Sequence, residues 1–293
     1  MNYRTLGKNG PPVSEIGFGC MSLHSDPAGN HRLIRTALDE GINLFDTADL
    51  YDRGANEECL GRALEGVRER AFIATKVGNR WREDGSGWDW APRRDHVVSA
   101  VEKSLQRLRT DRIDLYQMHG GTIDDPIDEI IETLETLRKS GKIRYWGISS
   151  IRPNVIREYL KRGGISSVMM QYSLLDRRPE EQCLGLLQNA GVGVLARGTL
   201  AKGVLIDKPP AEMAGYSPEE TKKMQVAAQA AGNPIGAAIG FVLNRPEVTS
   251  AVTGIRTAKQ LEEILKGYRN QVGKSAISRL ASLLPPNQYE NHR

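Results

Sequence analysis

Eight short apolar runs, each separated from the next by a segment of helical spacing, recur along almost the whole chain. This alternation constrains the fold more than any other feature. The runs are residues 16–21, 43–47, 72–77, 114–119, 145–149, 168–172, 192–197 and 250–254. Their starts lie about 33 residues apart, close to one strand-plus-helix unit each. Between them, Leu33, Ile34, Ala37 and Leu38 share one helical face, and Val97, Val101, Leu105 and Leu108 share another. Ile127, Ile130, Ile131, Leu134 and Leu137 form a third, and Leu261, Ile264, Leu265 and Tyr268 a fourth. Residues 152–162 and 180–190 fill two further gaps with helix. Strands and helices in strict alternation specify a parallel α/β protein. Eight units predict a closed (β/α)8 TIM barrel rather than an open sheet.

The ends and two insertions depart from the repeat. Residues 3–6 and 13–16 flank Lys8-Asn9-Gly10, and Asn-Gly is a hairpin signal, so a β-hairpin is expected to plug one barrel end. Segment 78–90 is polar and carries Trp81, Trp88 and Trp90, which either line a pocket or pin the loop. Segment 202–218 is Pro-rich and leads into helix at 218–231 and 234–244. Both insertions follow strands, so both belong at the carboxyl-end mouth, where barrel sites are built. Nothing marks a domain boundary, and 1–293 reads as a single domain. The tail, 285–293, is expected to be loose or draped on the surface.

Composition narrows the function. A net charge of +4 is too mild for nucleic acid to be the main partner. No apolar run reaches the length of a membrane span, and the amino-terminal residues lack the apolar stretch of a secretory signal. Cys20, Cys59 and Cys183 form no metal or disulfide pattern, and a reducing, cytoplasmic setting is expected. His24, His31, His96, His119 and His292 have no metal-ligand spacing, so no metal site is expected. Gly17-Phe18-Gly19 lacks the third glycine of a dinucleotide fingerprint and is followed by Pro27 and Gly29, which do not read as a helix. There is no P-loop, no HExxH and no nucleophile elbow.

What remains is a constellation at the strand ends. Asp46 ends the second run, Lys76 the third and His119 the fourth, with Tyr51 in the loop after Asp46. Alternation puts Leu44 with Asp46 on one strand face. It does the same for Phe72, Ala74 and Lys76, and for Leu115, Gln117 and His119. If those faces point inward, the polar groups converge at the mouth. Singly, Asp46 reads as a turn cap, Lys76 as a solvated or paired strand end, and His119 and Tyr51 as packing. Together they suit proton delivery. A Lys ammonium beside a phenol favours phenolate, Asp46 can hold that ammonium, and His119 can donate to a carbonyl oxygen.

The stretches FDTADLYDRGANEECLGRAL, ATK, DLYQMHGG, RYWGISS, MMQYSLLDR, VLARGTLAKGVL and SAVTGIRTAKQLEEI, in this order, resemble the aldo-keto reductase family. The resemblance implies a barrel that binds NADPH extended across its carboxyl mouth. It implies reduction of a small-molecule aldehyde or ketone by hydride transfer from nicotinamide C4. Tyr51 would be the general acid, tuned by Lys76 and Asp46, with His119 orienting the substrate. Ser149 and Gln171 would hold the carboxamide. The turn 198–203, with Gly198, Thr199, Leu200, Lys202 and Gly203, would cradle the pyrophosphate. Gly254, Arg256, Gln260 and Glu263 would meet the adenosine 2′-phosphate, and Met21, Asp46 and Arg197 complete the cofactor contacts. Arg197 stands where the family often has an aromatic, Ser150 where it often has Asn, Thr199 where Pro is frequent, and Ile264 where Asn is frequent. The alternative function is a cofactor-bound regulatory or accessory subunit with slow chemistry. A hydrolytic barrel is a third. The sequence leaves substrate, reaction direction and oligomeric state open.

Overall fold

A hairpin precedes the barrel: β1 (Tyr3–Thr5) pairs antiparallel with β2 (Pro12–Ser14), Tyr3 opposite Ser14. The computed structural model describes residues 1–23 and 26–293, so His24 lies outside the described residues. The barrel strands are β3 (Ile16–Gly19), β4 (Leu44–Asp46) and β5 (Phe72–Val77), then, after a second hairpin, β8 (Ile113–Met118), β9 (Ile143–Ser149), β10 (Ser167–Gln171), β11 (Gly193–Arg197) and β12 (Val248–Gly254). They close in sequence order, every pairing parallel, with β12 against β3. The eight runs are therefore the eight strands, with ends displaced by two residues at most. The second hairpin, β6 (Asn79–Trp81) with β7 (Trp88–Trp90), lies inside segment 78–90.

Helices α1 (Pro27–Asp39), α2 (Ala55–Leu64), α3 (Arg94–Leu108), α4 (Ile127–Lys139), α5 (Pro153–Arg162), α6 (Cys183–Ala190), α8 (Pro234–Leu243) and α9 (Ala258–Arg269) fill the intervals, with α7 (Pro218–Ala230) and α10 (Lys274–Ser282) added. The first eight bury their apolar stripes against the strands, whereas α7 and α10 pack on α8. Contrary to the expectation at Pro27 and Gly29, a helix does follow the Gly17–Gly19 segment: α1 begins at Pro27, where the missing N–H of a proline costs a helix nothing. In α4, Ile127, Ile130, Leu134 and Leu137 are buried and Ile131 only partly so. Each such buried side chain contributes roughly 1.5–3 kcal/mol. The starts of α7 and α9 are chemically marked. Ser217 and Glu220 form a reciprocal capping box, and the Thr257 hydroxyl accepts from the Gln260 N–H. Among the described residues no single helix is long and apolar enough to cross a membrane. The apolar α8 is instead buried along almost its whole length.

Inside the barrel, Leu44, Phe72, Ala74, Leu115, Met169, Leu195 and Val252 pack with Leu6 and Val13 of the hairpin region. The hairpin thus plugs the amino-terminal end, as expected, and the Lys8 N–H donates to the Gly191 carbonyl there. Its turn differs from the two-residue Asn-Gly type. The Leu6 N–H donates to the Pro11 carbonyl across a longer loop, and Gly7 takes the left-handed conformation at φ 63°. Gly17 also has a packing role. A Cβ there would lie 3.0 Å from Leu44 and 3.0 Å from Val252, inside the filled barrel. The tail is draped rather than loose: Tyr289 is buried, and the Asn287 side chain accepts from the Arg177 N–H at 2.7 Å.

Candidate active site

Strand alternation carries the interior from an apolar floor to a polar rim. Two residues beyond Leu44, Ala74, Met169 and Leu195 on the same faces stand Asp46, Lys76, Gln171 and Arg197. By the same spacing Tyr145 leads to Ser149 and Leu115 leads through Gln117 to His119. Ser149 is in register with Met169, and Gln171 with Arg197. The inward convergence expected from the sequence is present.

At the rim the Lys76 ammonium, fully buried, lies 2.8 Å from both oxygens of Asp46 and donates to Oδ2. It also donates to the Thr47 carbonyl at 2.7 Å and lies 3.5 Å from the Tyr51 hydroxyl. Burial acts against both charges of the pair. For Lys76, that burial is outweighed by Asp46 and then Tyr51, so the ammonium is held above its ordinary value. The ammonium therefore stays charged beside the phenol.

The Tyr51 and His119 rings meet edge-on, centroids 5.8 Å apart. Burial, with the positive charges of Lys76 and Arg197, pushes His119 down to about 3. The ring is neutral at ordinary pH, and its Nδ1 is buried without a partner among the described residues. An unpaired buried N–H is the costlier orphan, which favours the tautomer with its proton on Nε2.

The loop carrying Tyr51 is backbone-strained. Asp52, Arg53 and Gly54 take consecutive left-handed conformations at φ 48°, 54° and 92°. Two supports hold it. Outside, the Arg53 guanidinium sits 4.9 Å over the Trp81 ring, which meets Trp88 edge-on at 5.4 Å. Trp90 Nε1 donates to Asp125, and its ring covers Gly78 so closely that a Cβ there would lie 2.3 Å from it. Trp90 thus pins the loop, and Trp81 ties it to the Tyr51 segment.

Behind the loop is a buried polar cluster that sequence reasoning missed. Glu57 of α2, fully buried, accepts from Thr75 at 2.5 Å, Ser104 at 3.2 Å and Arg107 at 2.7 Å. Asp49, whose N–H donates to the Lys76 carbonyl, is pushed up to about 7 by burial and by the charge of Glu57. The signal available was Glu57 on the same helical face as Leu60, Gly61 and Leu64.

The remaining candidates surround the mouth. Among the described residues the side chains of Ser149, Gln171 and Arg197 make no hydrogen bond to protein, leaving an amide, a hydroxyl and a guanidinium unused at the rim. Gly198 and Gly203 are left-handed at φ 73° and 95°, as are Ala201 and Lys202 between them. In the same turn Thr199 is buried and Leu200 packs partly on the core. Gln260 Oε1 accepts the Arg256 N–H at 3.1 Å, which shapes the start of α9 and leaves the Arg256 side chain in solvent. Glu263 lies 3.9 Å from Lys259, Gly254 is exposed at the end of β12, and Met21 is exposed. Ser150 accepts the Arg152 N–H, and Ile264 is buried in the core. Cys20 is fully buried and its thiol is pushed well up, first by burial, which makes it packing. Among the described residues no group of side chains is suited to hold a metal ion.

A model of the aldo/keto reductase family matches residues 15–285. The chain is 43% identical to the uncharacterized oxidoreductase YqkF of Bacillus subtilis (strain 168) over the full length of both. It is 34% identical to the aldo-keto reductase yakc [NADP(+)] of Schizosaccharomyces pombe, over 69% of this chain and 62% of that one. Among solved structures it resembles the holo form of the aldo-keto reductase AKR11C1 from Bacillus halodurans, at 44% identity and a TM-score of 0.96, covering 100% of this chain and 99% of that one. The apo form of the same protein gives 42% identity and a TM-score of 0.88 over the same shares.

Proposed function

Because this chain belongs to the aldo/keto reductase family of oxidoreductases, we propose that it reduces an aldehyde or ketone with NADPH, Tyr51 serving as general acid. The observation that carries the reading is the Lys76 ammonium, held 2.8 Å from Asp46 and 3.5 Å from the Tyr51 hydroxyl in a buried rim. A nicotinamide held at the mouth by Gln171 and Ser149 would supply the hydride for the carbonyl carbon. Tyr51 gives its phenolic proton to the carbonyl oxygen as negative charge grows there, and Lys76 stabilises the phenolate left behind. Asp46 keeps the ammonium in place. Neutral His119 donates from Nε2 to the same oxygen and orients it without competing as an acid.

The unused rim groups suit this cofactor. A carboxamide needs a donor and an acceptor side by side, which Gln171 and Ser149 offer. The left-handed backbone of the turn 198–203 suits an anion, and Thr199, Leu200 and Lys202 lie within it. The exposed guanidinium of Arg256, with Gln260 shaping its loop, suits the 2′-phosphate, and Gly254, Glu263 and Met21 complete the rim. The existence of a holo form of the Bacillus halodurans relative, and the NADP(+) in the name of the yeast relative, agree with this. The test is cofactor consumption against a panel of aldehydes, ketones and sugars, with NADPH beside NADH. Turnover with at least one carbonyl class and preference for NADPH are expected. Binding of neither nucleotide would overturn the reading.

A further inference from the structure

Among the described residues, the mouth carries a charge that the reaction as described does not use. Asp46 and Lys76 cancel, His119 is neutral, and Arg197 is left over. Arg197 ends β11 on the inward strand face, in register with Gln171, and is only partly exposed. Among the described residues its guanidinium has no hydrogen bond and no ion pair. Its field reaches Tyr51 and Asp46, and it also acts on His119. Asp176 lies within the same field, but both its oxygens are taken by Arg178, at 2.8 and 2.6 Å. The rim therefore presents an uncompensated cation beside the reacting groups, where a mostly buried guanidinium ordinarily has a carboxylate.

We propose that Arg197 is a specificity-determining residue that makes the site discriminate between the two redox states of the nicotinamide, favouring the reduced one. This rests on the reading above, in which that ring occupies the mouth. The oxidised ring carries a positive charge, and the ring that has accepted hydride is uncharged. An unpaired guanidinium at the same mouth would repel the first and be indifferent to the second. At an effective dielectric of about 20, a charge pair within roughly 12 Å changes a binding ratio about tenfold or more. By linkage the same ratio raises the reduction potential of the bound couple, about 30 mV for each tenfold. The product form is thus the weaker binder, which assists its release after reduction.

The experiment is direct titration of NADP+ and NADPH into the purified protein, the Arg197→Met variant and the Arg197→Lys variant, without carbonyl substrate. Phospho-adenosine diphosphate ribose, which has the adenine end but no nicotinamide, serves as the control ligand. The parent should bind NADPH about tenfold more tightly than NADP+. Arg197→Met should lose most of that preference while binding the control ligand as the parent does, and Arg197→Lys, which keeps the charge, should retain it. An unchanged ratio in Arg197→Met overturns the inference and leaves the reductase reading standing. So does an unchanged ratio accompanied by a raised KM for keto acids alone, which would place the guanidinium on the substrate. Should the Met variant fold poorly, loss of the preference in Arg197→Gln but not in Arg197→Lys carries the same meaning. If the parent binds neither nucleotide, the reductase reading itself fails.

Discussion

Lys76 and Asp46, on adjacent strands and thirty residues apart in sequence, form a buried ion pair with the ammonium equidistant, at 2.8 Å, from both carboxylate oxygens. Removing one partner strands the other in a dry interior. Lys76→Met should therefore destabilise the fold by about 3–5 kcal/mol, and Lys76→Met with Asp46→Leu should recover most of that loss. Urea unfolding measures both. Neither variant should turn over, so stability and activity separate in the double variant. A double variant no more stable than the single one would mean that the pair is not electrostatically closed.

The neutral His119 gives a pH dependence with a definite sign. Its folded-state value of about 3 lies below its ordinary 6.5, so the unfolded chain binds the extra proton between those limits. Stability is complete above pH 6.5 and falls as the pH drops toward 3, by up to about 1.4 kcal/mol per pH unit. His119→Gln should flatten this slope in unfolding curves taken between about pH 6.5 and 4. An equal slope in parent and variant would contradict the assignment.

Asp49 acts in the opposite sense. Its carboxyl titrates near 7 in the fold against 3.8 for the free group, so the folded state holds the extra proton. Its contribution is present below about pH 4 and is lost as the pH rises through 7. Asp49→Asn should be more stable than the parent at about pH 8 by up to a few kcal/mol, gaining about 1.4 kcal/mol for each pH unit climbed between the two values, and equal to it near pH 4. Thermal unfolding at the two pH values decides this.

Arg256 lies in solvent with only its backbone held by Gln260. Arg256→Ala should leave the fold intact and weaken NADPH about ten- to hundredfold, the worth of a charge-assisted contact, with NADH affected much less. Calorimetric titration with each nucleotide measures the difference. Equal losses for both would remove Arg256 from the 2′-phosphate.

Much of the barrel and its rim was legible because barrel interiors obey a period of two. Leu44 with Asp46, Ala74 with Lys76 and Leu115 with Gln117 and His119 all kept the expected faces, and the same rule carries Gln171 and Arg197 to the rim. Illegible parts had local signals that were too short or misleading. The β6–β7 hairpin has three-residue strands, and its order comes from Trp81 meeting Trp88 edge-on and Trp90 reaching Asp125, contacts that no periodicity encodes. Nothing local marks Asp49 and Glu57 as inward-facing, since carboxylates are usually exposed. The burial of Glu57 is compensated by Arg107, fifty residues later. The Asn9-Gly10 signal located a hairpin but not its turn, since the sharp backbone falls at Gly7.

The proposed reaction turns on the proton of Tyr51, whose hydroxyl is 3.5 Å from the Lys76 ammonium. The decisive measurement is single-turnover carbonyl reduction by preloaded Tyr51→Phe protein, with its NADPH affinity determined beside it. A rate lowered at least about a hundredfold, the usual worth of a general acid, is predicted, with nucleotide affinity unchanged. A variant that binds NADPH and reduces the carbonyl at the parent rate would contradict it.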